Sequence, residues 1–384
     1  MARAPVYLDY HATTPVDERV LEAMLPYFTR DFGNAASSTH AWGWKARDAV
    51  EAARRDVATL IGAQPREIVF TGGATESNNM AIHGVATTAP PARRHIVVSA
   101  IEHKSVIEPA QHLATGGWRV TIAPVKRDGR IDLDALAGTI GDDTALVSVM
   151  AANNEIGVLQ PLAEIGAIAH ACGSLFHVDA AQAVGKVPVD VHQSGIDLLS
   201  LTAHKIYGPK GAGALFVRRR LEIGALITGG GHEHGLRAGT MNVPGIVGLG
   251  RACAICRDEM TAEAARMARL RDRLLAGLRS GLDGLTVNGS IEHRLPNNLH
   301  VSFEGVDGES LLVGISDIAV SSSSACTSAS GTPSHVLSAV MHSEPVPSAS
   351  IRFGLGRFTT DDEIEYAIGK FVAVVRHLRN MAPV

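Results

Sequence analysis

Two residues in this sequence stand where ligand chemistry is usually done. Lys205 follows the apolar run 197–201, in LSLTAHKIYGPKG, and Asp179 closes the run 175–178, in FHVDAAQAVGK. Both runs read as strands, so a lysine and an aspartate sit at the carboxyl ends of successive strands, where open α/β sheets bind ligands. A buried lysine gives up its charge readily and forms Schiff bases. The bland reading of Lys205 is a surface lysine. Asp179 ordinarily would cap a helix, here over 180–184; it is also placed to keep a heteroaromatic nitrogen protonated.

A third feature is TGGATE at 71–76, after the strand 67–70 and before a helical stretch at 77–85. Small residues let the backbone approach a ligand closely, and a helix N-terminus offers free N–H groups and a positive dipole. On its own, Gly-Gly before a helix fits a tight turn equally well. It is neither a P-loop, because Gly-Lys-Ser/Thr is missing, nor GxGxxG. Phosphate cradle, aspartate and lysine, in separate strand–helix units, converge on one cofactor, pyridoxal phosphate. That cofactor needs a Schiff-base lysine and an acid on its pyridine nitrogen.

The elements that must position these residues alternate. Apolar, β-branched runs at 67–71, 95–99, 119–123, 145–150, 175–178, 197–201 and 213–217 are separated by helical stretches such as 45–61, stopped by Gly62, and 161–172, opened by Pro161. Short apolar strands between helices predict an α/β fold with a mostly parallel, seven-stranded sheet covered on both faces. After Thr240 the texture changes. A long helix over 243–282, strands at 298–303, 318–320 and 350–353, and a last helix over 360–379 predict a smaller α+β domain. The boundaries expected are 15–255 for the large domain and 1–14 with 256–384 for the small one.

Composition bounds the function. At 384 residues the chain is long enough for about two domains. With 46% hydrophobic and 19% charged residues it is globular, and a net charge of −4 argues against phosphate-neutralising nucleic-acid binding. No run of about 18 apolar residues predicts a membrane span. No signal peptide is read before the alternating segment 6–10, and four cysteines make no disulfide framework. A reducing cytoplasm is the expected compartment, where a working cysteine does catalysis or binds metal.

Across nearly the whole chain the motifs are long and specific: YLDY at 7–10 and ATTP at 12–15, FTGGATESN at 70–78, EHK at 102–104, NNEIG at 153–157, HVDAAQ at 177–182, AHKIYGPKG at 203–211, GLRAGT at 235–240, SSACTSAS at 323–330 and IRFGLGRF at 351–358. In these the chain resembles the cysteine desulfurases of the NifS/IscS type, class-V pyridoxal-phosphate enzymes of the aspartate-aminotransferase fold (fold type I). The resemblance implies that Lys205 carries the cofactor, Asp179 pairs with its pyridine nitrogen and Gln182 bonds its phenolic oxygen. It implies that His103 stacks on the ring and moves protons. Ala74, Thr75, Thr202 and His204 would bind the phosphate, and Thr240 would reach the phosphate of a neighbouring subunit in a homodimer. Asn154 and Arg352 would orient the substrate, L-cysteine, with Arg352 gripping its carboxylate. Cys326 would attack the substrate sulfur, become a persulfide and pass the sulfur to a protein acceptor, an iron–sulfur scaffold or a sulfurtransferase.

Each residue also has a plainer reading. His103 is one of 17 histidines, Asn154 suits a turn, and Arg352 suits a structural ion pair, with Arg357 as its neighbour or facing solvent. The flanks of Cys326 are Ser, Ala and Thr, which suit a mobile loop over about 321–332 better than a core thiol. Cys253 and Cys256 have a CxxC spacing, but on a helix and without a second ligand pair they read as core. Cys172, before Gly173, reads as packing. His232-Glu233-His234 lies among glycines and lacks the helix that HExxH ligation needs, so it reads as loop and no metal is expected. The housekeeping family members carry a further C-terminal segment beyond the point matching Val384, and 341–349, with Pro345 and Pro347, reads as a different connection. An aminotransferase would use the same lysine and aspartate without the cysteine, and a selenocysteine lyase would share the residues. A nucleotide-binding or scaffold protein would use the glycine turn alone.

Overall fold

The computed structural model describes residues 5–322, 334–342 and 344–381; Cys326 and most of the segment around it lie outside the described residues. A seven-stranded sheet runs in the order Ile68–Thr71, Gly213–Val217, Leu198–Thr202, Leu175–Asp179, Thr144–Ser148, His95–Ser99, Arg119–Ala123. Only Gly213–Val217 is antiparallel to its neighbours. This is the expected α/β sheet, with strand ends within about two residues of those read from the sequence.

The strands are apolar throughout because both faces are covered. Phe70, Val97, Val147, Leu199 and Phe216 point into one core, with the helices Ala41–Leu60 and Leu162–Ala171 and the first half of the helix Val243–Gly281. The alternate residues Val69, Val98, Leu198, Leu215 and Val217 point into another, with the helices Ala74–Thr88 and Lys104–Thr115. Period-two alternation sends neighbours to opposite faces, so neither face can be polar. Phe176 and Phe216 are fully buried, each contributing about 1.5–3 kcal/mol of apolar transfer.

A third core is separate. The second half of Val243–Gly281 (Leu270, Leu274, Leu278) and the helix Asp361–Met381 (Ile364, Phe371, Val375) pack on an antiparallel sheet. Its order is Ser321–Ser322, Ser350–Gly354, Asn298–Phe303, Leu285–Val287. The N-terminal strand Val6–Tyr7 pairs in parallel with Ile318–Ala319, and Val6 and Leu8 join this core. The helix His335–Met341 instead packs Val336, Leu337 and Val340 on the first core.

One local expectation fails. Asp179 does not cap a helix over 180–184: those residues form turns, with Val184 N–H bonded to Ala180 O and Lys186 N–H to Ala183 O. Gly185, at φ +74°, turns the chain left-handed and ends the coil after one turn. Asp179 Oδ1 still accepts from Ala181 N–H at 3.0 Å, so it caps a turn.

Candidate active site

The carboxyl ends of the parallel strands open onto one cavity of about 980 Å³. Ala74, Thr75, His103, Asn154, Asp179, Gln182, Thr202, His204, Lys205 and Arg352 all line it. Positions 74 to 205 meet there because the crossover connections return each parallel strand in the same direction, and Arg352 arrives from the antiparallel strand Ser350–Gly354. Thr240 is exposed and is absent from this lining. Cys326 lies outside the described residues, but Ser321, five positions before it, lines the cavity.

The lysine is set up for covalent chemistry. Burial, with the Arg352 charge adding to it, pulls Lys205 down from 10.5 to about 8. Its Nζ donates to the carbonyl oxygens of His11 and Ala12, the latter at 2.7 Å. A lysine so placed is neutral far more often at pH 7 than one in water.

Asp179 accepts only. Its Oδ2 takes a hydrogen bond from Asn78 Nδ2 at 2.8 Å and its Oδ1 one from Ala181 N–H. Asn78 Nδ2 also donates to Ser105 Oγ at 2.8 Å, and Ser105 Oγ lies 2.8 Å from His103 Nδ1. His103 caps the helix Lys104–Thr115, with Nδ1 accepting from Ser105 N–H at 3.2 Å. An accepting Nδ1 leaves the proton of the neutral ring on Nε2. One hydrogen-bonded string thus fixes both the aspartate and the histidine.

The turn expected to cradle a phosphate is a helix N-terminus. Gly73, at φ +149°, is the N-cap of Ala74–Thr88, and no side chain caps that helix. A Cβ on Gly213 would lie 2.6 Å from Gly73 Cα, so only glycine lets the neighbouring strand come so close beneath the turn. Thr75, Thr202 and His204 stand around it. Burial, then Lys205, pulls His204 down to about 4, so it is a neutral hydrogen-bonding group.

Arg352 is buried on the antiparallel strand Ser350–Gly354. Its Nη2 donates to Asp9 Oδ1 at 2.8 Å and Ser321 Oγ at 2.7 Å, and its Nη1 to Asn154 O at 2.8 Å. Its Nε has no partner among the described residues. Arg357 does not face solvent: it pairs with Asp17 and Glu263 and lies 4.3 Å over the Tyr207 ring. A guanidinium with two carboxylates and an aromatic face is satisfied where it is.

Other expectations about the sequence take physical form. Cys253 and Cys256 are buried in the long helix, and burial drives both thiols up, Cys256 to about 12. Cys172 is the C-cap of Leu162–Ala171 and packs on the first core. Glu233 is a buried partner of Arg54, and no group of three metal-ligating side chains exists among the described residues. No helix among them is long and apolar enough to cross a membrane.

Sequence reasoning missed several residues. His11, between the two N-terminal motifs, lines the cavity, Asp9 bonds Arg352 behind it, and Asn78 and Ser105 link Asp179 to His103. Their polarity next to apolar positions was a signal, but their partners lie far along the chain.

The donor set fits pyridoxal phosphate: a depressed lysine, an accepting carboxylate on the next strand, an uncapped helix N-terminus and a flanking ring. A class-V aminotransferase family model matches residues 6–367. The chain is 56% identical over 383 residues to "Cysteine desulfurase IscS" of Anaeromyxobacter dehalogenans (strain 2CP-C), covering 99% of this chain and 95% of that protein. The solved structure of a "NifS-like protein" superposes with a TM-score of 0.91 at 39% identity, covering 97% of this chain and all of the other. "SspA in complex with cysteine" superposes with a TM-score of 0.81 at 36% identity, over 92% of this chain and 100% of that one. A match over nearly the full length, at this identity and with this cavity, means that the chain belongs to the class-V aminotransferase family and, within it, to the pyridoxal-phosphate-dependent cysteine desulfurases.

Proposed function

We propose that the cavity takes L-cysteine, releases L-alanine and leaves the substrate sulfur on Cys326 as a persulfide. The observation that carries this is the convergence of Lys205, Asp179 and Arg352 on one cavity, with the segment bearing Cys326 starting from its wall at Ser321. When bound, pyridoxal phosphate supplies the electron sink for carbanion chemistry at the substrate α-carbon.

The chain's own residues do the rest. Lys205 Nζ would hold the cofactor covalently and, once free, would take the substrate α-proton; its lowered basicity raises the share of neutral amine available for that task. Asp179 holds the pyridine nitrogen protonated, kept in place by Asn78 and Ala181 N–H. His103 stacks on the ring and carries a proton at Nε2. Ala74, Thr75, Thr202 and His204 receive the phosphate at the helix N-terminus, and Gln182 donates to the phenolic oxygen. Arg352 meets the substrate carboxylate, and Asn154 orients the substrate beside it. The Cys326 thiolate then bonds to the substrate sulfur as the carbon–sulfur bond breaks, so that cysteine and thiol become alanine and persulfide.

In this reading residues 15–255 hold the cofactor, and 1–14 with 256–384 supply Arg352 and the cysteine segment. The separation of the third core from the other two supports that division. Exposed Thr240 serves the phosphate of a second copy in a homodimer. The sulfur passes to a protein acceptor, an iron–sulfur scaffold or a sulfurtransferase, in a reducing cytoplasm. The name "Cysteine desulfurase IscS" of the relative and the cysteine complex of the structural neighbour support the substrate.

The test has two arms. Lys205→Ala abolishes the visible absorption of the purified protein. Cys326→Ser keeps that absorption and loses sulfide release from L-cysteine in the presence of a thiol; sulfide release that survives it rules out the persulfide route. Alanine formed from pyruvate, with an added amino acid as amino donor, by Cys326→Ser at the rate of the unaltered chain would favour an aminotransferase.

A further inference from the structure

Lys186 has no role in the chemistry above, yet it is a lysine only 6% exposed, one of the most costly side chains to bury. Gly185 puts it there. At φ +74° the glycine turns the chain inward, and a Cβ on it would lie 2.8 Å from both Cys256 Sγ and Ile206 Cγ2. Lys186 Nζ donates to Gln182 O at 3.0 Å and to Gln182 Oε1 at 3.3 Å. Burial, with the Lys205 charge adding to it, pulls Lys186 down to about 7.

The partners of Lys186 run on in one direction. Gln182 Oε1 lies 2.9 Å from His11 Nδ1, and His11 Nε2 lies 3.1 Å from Asn298 Nδ2. Asn298 Oδ1 accepts from Arg294 Nη1 at 2.8 Å. A lysine and an arginine stand at the two ends; the arginine cannot accept a hydrogen bond, and neither can the lysine while it carries its proton. The oxygen of each amide must therefore face its cation. His11 is then forced into the neutral form with its proton on Nδ1, donating to Gln182 and accepting from Asn298. Gln182 Nε2 is left to donate. It bonds to His11 O at 3.0 Å, the carbonyl that also receives Lys205 Nζ, and it has a second hydrogen to spare at the cavity wall.

We infer that Lys186 is a positioning residue for the desulfurase reaction: by holding Gln182 Oε1 it keeps the Gln182 amino group as the end of the amide that meets the cavity. An oxygen of the bound cofactor then faces a donor. Without Lys186 the Gln182 carbonyl keeps only the His11 Nδ1–H donor, and the amide is held less firmly against turning that oxygen toward the cavity. The inference rests on the role proposed for Gln182.

The experiment compares holoenzyme variants by the position of the visible absorption band and by kcat/KM. Lys186→Met removes the donor while nearly keeping the length of the side chain. It shifts the band in the direction that Gln182→Ala shifts it and lowers kcat/KM about tenfold. Added to Gln182→Ala, Lys186→Met shifts nothing further. An unshifted band in Lys186→Met, while Gln182→Ala shifts it, overturns the inference and leaves the Gln182 reading standing. So does an equal additional shift in the double variant, which means Lys186 acts by another route. An unshifted Gln182→Ala overturns both. If Lys186→Met does not fold, Lys186→Gln, which keeps a donor, decides: a native band supports the positioning role, and a band shifted as in Gln182→Ala overturns it.

Discussion

Asp9 and Arg352 lie 343 positions apart in the chain and meet at 2.8 Å at the wall of the cavity. The ion pair joins the N-terminal segment to the strand Ser350–Gly354, and Ser321 Oγ bonds to both partners. A carboxylate beside the guanidinium fixes its plane before the substrate arrives. Arg352 is therefore a structural ion pair at the cavity wall, and in the proposed function it also meets the substrate carboxylate.

Replacing Arg352 with Ala is expected to raise the KM for L-cysteine by about 10- to 100-fold, the worth of a charge-assisted hydrogen bond to a carboxylate. Arg352→Lys recovers little of this, because an ammonium cannot serve Asp9, Asn154 O and a carboxylate from one plane. Steady-state kinetics check it. An unchanged KM in Arg352→Ala would leave only the structural role.

Lys205, at about 8 rather than 10.5, should set the pH dependence of cofactor loading. A lysine with a lowered pKa is protonated below it and neutral above it, and only the neutral amine attacks an aldehyde. The rate of pyridoxal phosphate uptake by cofactor-stripped protein is expected to rise with pH and level off with a midpoint near 8. Stopped-flow absorbance reads it, and a rate still climbing at pH 9.5 contradicts it.

Glu102 predicts a stability change. Its side chain is buried; Oε1 accepts from Ser99 Oγ at 2.6 Å and Met150 N–H at 2.7 Å, while Oε2 has no partner among the described residues. Burial pushes its pKa up from 4.5 to about 8. Between those values the unfolded chain has lost the proton and the folded chain keeps it, so stability falls as pH rises from about 4.5 to 8. Glu102→Gln is expected to remove that component, flattening the dependence of Tm on pH. Calorimetry at pH 5, 6.5 and 8 compares the two slopes, and parallel curves count against the buried neutral acid.

Glu233 shows what the HEH motif does. Its carboxylate bonds to Arg54 Nη2 at 2.7 Å and Nη1 at 2.9 Å and accepts from Phe70 N–H at 2.6 Å, all within the interior. Glu233→Ala leaves the buried Arg54 guanidinium with only Glu51 and Ile68 O as partners and is expected to cost about 3 kcal/mol. Urea denaturation measures this, and a loss under 1 kcal/mol means that water reaches Arg54.

Cys253 and Cys256 should be inert. Both are buried, and burial holds both thiols well above their ordinary range, so little thiolate forms at pH 8. Native-state alkylation with iodoacetamide followed by mass spectrometry is expected to spare them and to modify them only in denaturant. Rapid native labelling at either position would refute this.

Much of the site was legible in the chain because strands and helix starts are local. Apolar runs with turn residues between them gave the sheet, and strand ends gave Lys205, Asp179 and the Thr71–Glu76 turn their places. Motifs with fixed chemistry then fixed identity. Partners were not legible. Hydrogen bonds such as Asp9 to Arg352, Asn78 to Asp179 and Gln182 to His11 join positions 101 to 343 apart. Nothing in the flanking residues specifies which distant group arrives. Gly185 is a case in both directions. A glycine after Ala-Gln-Ala-Val marks a stop, but only its closeness to Cys256 and Ile206 shows why no other residue fits and why Lys186 turns inward. Arg357 is another: by composition it suited solvent, and three distant groups bury it. The sequence by itself determined the element order and the family, and it named the candidate reactive residues, because those depend on residue type and near neighbours. Tertiary structure alone decided the charge and hydrogen-bond polarity of each group, because burial and distant donors set them.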